Sequence, residues 1–275
     1  MTSGPQLPSP TWFVGCGNMG QAMVAGWRLA GVDLSNAVVI RPSGVPVEGV
    51  RTVTSLKEAD GAPGMIILGF KPQKLDEIAP DIRPWITSKT IVVSLLAGVE
   101  TASLKARFPK AIVVRAMTNL PVCVRRGVVA LYAEDIADDV RKQVGDAFAA
   151  LGLTMWTESE TVLGAIGAVS GAGPAYVARF IDALAEAGEK QGLPKALAST
   201  IALETVLGTA WMAATNSEPM DDLARRVASP RGTTEAGLSV LDREDAFRQL
   251  IGATINAARR RGAELAAEAR GEQVA

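Results

Sequence analysis

The chain has 275 residues, enough for two domains that each bury a core. Its net charge of −1 argues against a nucleic-acid or polyanion partner, and its two cysteines, Cys16 and Cys123, are too few for a disulfide framework or a zinc site. It contains no histidine, so proton transfer would fall to Thr, Ser, Tyr, Lys, Glu, water or the substrate itself.

Met1 to Pro10 is polar and proline-rich, lacks the apolar core of a signal peptide, and reads as a loose tail. No apolar run is expected to reach the length of a membrane span. The expectation is a soluble cytoplasmic protein that acts on a small molecule, with no metal, membrane or nucleic-acid partner.

Thr11 to Val14 reads as a short buried strand, followed at once by Gly15-Cys16-Gly17-Asn18-Met19-Gly20 and an alanine-rich helical stretch. This is the GxGxxG pattern in its proper setting, after a strand and opening a helix. The first glycine makes the tight turn, the second lets a pyrophosphate approach the backbone, and the third lets helix and strand pack closely. The strand Ala37 to Ile40 ends in Arg41-Pro42-Ser43, where an acidic residue would bind the ribose 2′-hydroxyl of NAD. A guanidinium and a hydroxyl suit a 2′-phosphate, so the expected cofactor is NADPH, with NADH as the alternative.

Met65 to Phe70, Thr90 to Leu96 and Ala111 to Met117 are continuous apolar runs, as strands buried on both faces require. Helical patterns at Gln73 to Ile82 and Thr101 to Phe108 alternate with them, which implies a parallel sheet with its ligand outside the carboxyl ends of the strands. Gly127 to Ala133 and Thr154 to Thr157 are expected as further strands around a helix from Ile136 to Leu151.

From about Glu158 the strand signals stop. Helices are expected at Pro174 to Gln191, Pro194 to Thr215, Leu223 to Ala228 and Glu244 to Ala267. The second of these carries few charges and must be buried on most sides, which predicts a dimer packed through this half. The fold class is therefore α/β: an N-terminal Rossmann-type dinucleotide-binding domain, 1–158, with an all-helical C-terminal domain for substrate binding and dimerisation, 159–275. Between two of these helices lies Ser229-Pro230-Arg231-Gly232-Thr233-Thr234-Glu235, at the start of the helical run Ala236 to Leu241. A helix start presents unpaired N–H groups and the positive end of the dipole to an anion. Taken alone, the loop also reads as an ordinary capped helix start.

The blocks FVGCGNMG, GFKPQ, SLLAGV, RAMTNLP, VSGAGPAY and ASPRGTTEAGL, in that order, resemble the pyrroline-5-carboxylate reductase family over positions 11 to 267. There are departures: Ala172 and Leu120 stand where a serine and a threonine are usual, and Arg231 replaces a glycine of the signature loop. The resemblance implies NADPH-dependent reduction of the cyclic imine 1-pyrroline-5-carboxylate to L-proline, and a homodimer or a larger homo-oligomer built from dimers. It places Gly15, Cys16, Gly17, Asn18, Met19 and Gly20 on the pyrophosphate. Phe70, Lys71, Pro72, Leu96, Ala97 and Asn119 would lie along the cofactor toward the nicotinamide. Ser229, Gly232, Thr233 and Thr234 would hold the substrate, with Thr234 near the reacting nitrogen. Glu160, on the cofactor side, and Glu218, on the substrate side, are acidic residues expected near the site. Rival readings are a reductase of another cyclic imine or of a β-hydroxy acid, which would need Lys190 or Lys195 as a base, and a non-catalytic NADP(H)-binding protein.

Overall fold

The computed structural model describes residues 6–269. The strands are β1 (Thr11–Val14), β2 (Ala37–Ile40), β3 (Arg51–Val53), β4 (Met65–Leu68), β5 (Ile91–Ser94), β6 (Ile112–Thr118), β7 (Gly127–Tyr132) and β8 (Gly152–Trp156). Among them run α1 (Asn18–Leu29), α2 (Leu75–Ile82), α3 (Thr101–Arg107) and α4 (Asp138–Ala149). After β8 come α5 (Glu160–Ile166), a π turn at Gly167–Gly171, α6 (Gly173–Lys190), α7 (Lys195–Asn216), α8 (Met220–Val227), α9 (Thr233–Leu241) and α10 (Ala246–Ala269).

The sheet has the order β3-β2-β1-β4-β5-β6-β7-β8. Every neighbouring pair is parallel except β6 and β7. That exception departs from the all-parallel expectation. Only the short stretch from Asn119 to Arg126 joins β6 to β7, too little chain for a crossover helix, so β7 turns back antiparallel.

Alternation along each strand explains the continuous apolar runs. Phe13, Val39, Ile67 and Val93 face one layer with Met23 and Trp27 of α1 and Phe148 of α4. Trp12, Val38, Ile66 and Val92 face the other with Leu75 and Ile82 of α2 and Leu104 of α3. Trp27 stacks edge-on against Phe13 and Phe148, and its indole N–H donates to Ala147 O at 2.7 Å. Trp27 is thus buried with its polar atom satisfied.

The described part of the N-terminal tail is not loose. Leu7 packs on the core, Pro8 is buried, and Thr11 Oγ1 donates to Pro8 O. The rest of that tail lies outside the described residues.

The chain forms two compact units. One runs to Ala172 and takes up the chain again from Ala258; the other is Gly173–Ala257. The expected boundary after residue 158 thus falls inside the first unit. The reason is α5, whose Leu163 is fully buried and which packs on β6 and β7.

In the second unit α6 and α7 pack as a hairpin across Gly192, which sits at φ +95 as a helix C-terminus favours. Its buried apolar residues are Ala185, Ala198, Ala202, Ala213 and Leu223, and Ile181 packs against the first three.

Candidate functional site

The strand order reverses between β1 and β4: the chain runs from β1 outward to β3, then returns to start β4 on β1's other side. In such sheets this switch point opens a crevice at the carboxyl ends of the strands. Two glycine turns meet there. Gly15 has φ +74, and a Cβ on it would come within 3.0 Å of the Gly69 carbonyl group and of Phe70 Cβ. A Cβ on Gly69 would in turn sit 2.7 Å from Gly15 O. The turns after β1 and β4 are thus in backbone contact, which only glycine allows.

Gly17 is the residue preceding α1 and has open space where a side chain would project. No side chain caps α1 and no acidic residue occupies its first turn, so its leading N–H groups, from Asn18 and Met19 onward, present positive potential to that space. Gly20 is required by packing, since a Cβ there would lie 2.9 Å from Cys16 Sγ. The Cys16 thiol itself is 4% exposed, and burial pushes its pKa up to about 11 against the opposing charge of Arg41. It is a packing group, and its backbone faces the turn.

Arg41 follows β2 and folds over this turn. Its Nη1 donates to Cys16 O at 3.0 Å and its Nε donates to Ser43 Oγ at 3.1 Å. The cation and hydroxyl expected for a 2′-phosphate are therefore joined to each other and to the glycine turn. An open glycine cradle, a free helix start and a fixed guanidinium beside it fit a phosphorylated dinucleotide.

On the other side of the switch point lie the ends of β4, β5 and β6. Phe70 is half-buried on the core, Lys71 is exposed, and Pro72 opens a short 3₁₀ turn. After β5, Ala97 is exposed, whereas Leu96 is 3% exposed and packs in the core. Leu96 was expected to line the cofactor; its side chain points away from solvent, leaving only its backbone at the crevice. Asn119 is also buried, and both ends of its amide are engaged within the fold. Nδ2 donates to Ser170 O at 3.0 Å in the π turn, and Oδ1 accepts from Val128 N at 2.9 Å. It ties the end of β6 to the VSGAG segment.

Glu160 is likewise engaged. Its Oε1 accepts from Thr101 N at 2.8 Å, from Thr101 Oγ1 at 2.9 Å and from Arg115 Nη1 at 2.5 Å. Burial raises its pKa, but the Thr101 N–H, the Arg115 guanidinium and the Thr101 hydroxyl together outweigh that and hold it below the ordinary carboxylate value. Thr101 and Arg115 are partners that the sequence reading missed. They are far from Glu160 along the chain, and only a charged residue inside the otherwise apolar strand Ile112–Thr118 hinted that a counter-charge was needed.

In the second unit, Ser229 O accepts from Gly232 N at 2.9 Å, closing a turn with Pro230 and Arg231 at its centre. Arg231 has φ +61. Proline followed by a positive φ is the type II pattern, which favours glycine at the position Arg231 holds. Glu235 compensates: its Oε2 accepts from Arg231 N at 2.6 Å. Gly232 then precedes α9, and a Cβ on it would lie 2.4 Å from Ser229 Oγ. Thr233 is exposed and Thr234 half-buried in the first turn of α9, where backbone N–H groups lack helical acceptors. Glu218, expected beside the substrate, pairs with Arg226 Nη2 at 2.6 Å. Lys190 and Lys195 are both exposed, as ordinary solvated lysines are.

Comparison with known proteins settles the ancestry. The pyrroline-5-carboxylate reductase of Pseudomonas aeruginosa is 36% identical over 266 residues, covering 92% of this chain and 96% of that protein. The chain belongs to the pyrroline-5-carboxylate reductase family. A crystal structure of the Plasmodium falciparum pyrroline carboxylate reductase with NADP bound matches with a TM-score of 0.85 at 25% identity, covering 94% of this chain and 99% of that one. The Coxiella burnetii pyrroline-5-carboxylate reductase structure matches with a TM-score of 0.85 at 32% identity, over 94% and 98% of the two chains.

A family model described as pyrroline-5-carboxylate reductase dimerisation matches residues 160–265. Members of this reductase family thus have a region for self-association, and here it accounts for a correction. Two helical stretches, Glu160–Lys190 and Lys195–Asn216, do reach the length and hydropathy of a membrane span, at a mean hydropathy of 1.3 each. The sequence reading missed this because alanine, rather than long runs of leucine or isoleucine, carries the hydropathy. Their exposed Phe180, Leu184, Leu197, Ile201 and Leu207 are explained by a dimerisation surface.

Proposed function

We propose that this chain reduces 1-pyrroline-5-carboxylate to L-proline with NADPH, the last step of proline biosynthesis. One observation carries the reading: Arg41 is fixed by Ser43 and Cys16 O over an open glycine turn, in a chain related over nearly its whole length to pyrroline-5-carboxylate reductases. The first unit is the cofactor domain, with Gly15 to Gly20 on the pyrophosphate and Arg41 and Ser43 on the 2′-phosphate. Phe70, Lys71, Pro72 and Ala97 extend the cradle along the carboxyl ends of β4 and β5. The helical region holds the substrate and joins the chains as a homodimer, or as a larger oligomer built from dimers.

When bound, NADPH supplies a hydride for the imine carbon. The protein's part is orientation. The N–H groups of Thr233 and Thr234 at the start of α9 hold the substrate carboxylate, and Thr234 Oγ1 orients the ring nitrogen. A protonated imine brings its own proton, which suits a chain with no histidine. Holding the reactants in register lowers the barrier by several kcal/mol without any strong acid in the protein.

The test is the oxidation of NADPH by the purified protein, followed with 1-pyrroline-5-carboxylate as substrate and L-proline identified as product. Absence of proline formation by protein that binds NADPH would leave a non-catalytic cofactor-binding role.

A further inference from the structure

The loop from Leu95 to Glu100 joins β5 to α3 and carries Ala97 to the carboxyl edge of the sheet, two strands from the glycine turn. Its underside is fixed by Leu96 and Val99, both buried in the core. Its two other restraints are less ordinary. At the exit, Thr101 starts α3, and its N–H and hydroxyl are both held by Glu160 Oε1. At the tip, Gly98 has φ +76, and a Cβ on it would lie 2.7 Å from Leu265 C and 2.8 Å from Ala266 N. The backbone of the loop therefore rests directly on the backbone of α10 near its end.

Glu160 and Leu265 are the first and last residues of the region matched as dimerisation. A loop that belongs by sequence to the cofactor side is thus braced from both ends of the helical region. Neither brace is needed for the sheet, because Leu95 N already continues the ladder to Leu68 O at 3.1 Å. Arg115 does more than neutralise Glu160. It shares the same oxygen that binds Thr101, and so fixes where that oxygen lies.

We propose that Glu160 and the end of α10 at Leu265 are positioning elements that set the β5–α3 loop for the nicotinamide half of the cofactor. The proposal rests on the reading of the crevice as an NADPH site. Glu160 does not touch the cofactor; it acts through Thr101. Gly98 is required because its φ is left-handed and the space above it is taken by the main chain of α10, so that a side chain there would push the loop outward.

The experiment uses full-length Gly98→Ala, Glu160→Gln and Thr101→Ser proteins. NADPH is titrated directly by fluorescence, KM is measured for NADPH and for 1-pyrroline-5-carboxylate, and the oligomer is followed by sedimentation. Gly98→Ala and Glu160→Gln should each raise Kd and KM for NADPH about tenfold, as expected when a binding loop shifts by a fraction of an ångström. The KM for the imine acid and the oligomer should not change. Thr101→Ser keeps both the N–H and the hydroxyl and should retain wild-type affinity. Folded, wild-type-like oligomers of Gly98→Ala and Glu160→Gln that bind NADPH as tightly as the parent would overturn the proposal, as would an equal rise in both KM values. Should Gly98→Ala fail to fold, Glu160→Gln decides, since it preserves shape but removes the charge by which Arg115 fixes the oxygen that holds Thr101. If the parent binds NADPH but makes no proline, the assigned reaction fails while the titrations still judge the loop.

Discussion

The guanidinium of Arg41 lies on the main-chain carbonyl of Cys16, 3.0 Å from Nη1 to oxygen, so the residue after β2 is fastened to the turn after β1. Cofactor selectivity follows from that bond. Arg41 is held in place before any ligand arrives, and a 2′-phosphate gains a charge-assisted contact that a 2′-hydroxyl does not. Arg41→Asp should lower the preference for NADPH over NADH by about ten- to a hundredfold, the equivalent of ~1.5–3 kcal/mol for one hydrogen bond to a charged group. The check is kcat/KM for both cofactors in parent and variant. Equal constants for NADPH and NADH in the parent would remove the basis for this prediction.

Thr234 is the side chain on which the chemistry is expected to depend. Thr234→Val keeps the shape and the backbone N–H while removing the hydroxyl. Loss of one hydrogen bond to a charged group should lower kcat/KM for the imine acid about ten- to a hundredfold. NADPH affinity should stay as in the parent. Thr233→Val is the comparison and should have the smaller effect. Full kcat/KM in Thr234→Val would mean the loop acts through its main chain alone.

Arg231 occupies a turn position made for glycine. A left-handed conformation costs a non-glycine residue about 1–2 kcal/mol, and glycine's greater freedom in the unfolded chain offsets about 0.4–1 of it. Arg231→Gly should therefore stabilise the protein by about 0.5–1 kcal/mol, read by denaturant unfolding at matched protein concentration. An unchanged or lower midpoint would show that the arginine side chain contributes more to the loop than its backbone strain removes.

The Glu160 carboxyl is held below its ordinary value of 4.5 by Thr101 and Arg115, against the opposing effect of burial. Tyr132, opposite Arg115 on β7, lies in the field of Glu160 and Arg115 and of the Lys105–Glu134 pair. Because the folded pKa is depressed, this carboxylate contributes stability that is fully present above its unfolded pKa. That contribution disappears as pH falls through the lower folded value. Glu160→Gln should be less stable than the parent at neutral pH, and the gap should narrow on acidification below 4.5. A gap of constant size across that range would show that the charge on Glu160 plays no part.

The elements that could be read from the sequence are those whose physics is local. β1, β4 and β5 announce themselves as apolar runs because both faces of each are covered, and Gly15-Cys16-Gly17 marks the turn because it sits between a strand and a helix. β3 was missed since Arg51 and Thr52 lie at the sheet edge and only Val53 is buried. The side-chain direction of Leu96 could not be read, because alternation breaks down where a strand ends in a turn. The partners of Asn119 and Glu160 were hidden for another reason: each bond joins residues far apart in the chain, and a polar residue near a crevice looks the same in sequence whether it meets a ligand or another part of the fold. Arg231 was legible as an anomaly, and its φ of +61 agrees with the strain that its place in the loop implied.

The second unit buries only four alanines and one leucine among its apolar side chains, Ala185, Ala198, Ala202, Ala213 and Leu223. Its long apolar faces gain their cover from another copy of the same chain, so the folded state is reached by a second-order process. Its apparent melting temperature must then rise with protein concentration, unlike that of a self-sufficient domain. In a cell, the amount of chain made would govern the fraction that escapes proteolysis as well as the total. Halving synthesis would therefore remove more than half of the assembled protein.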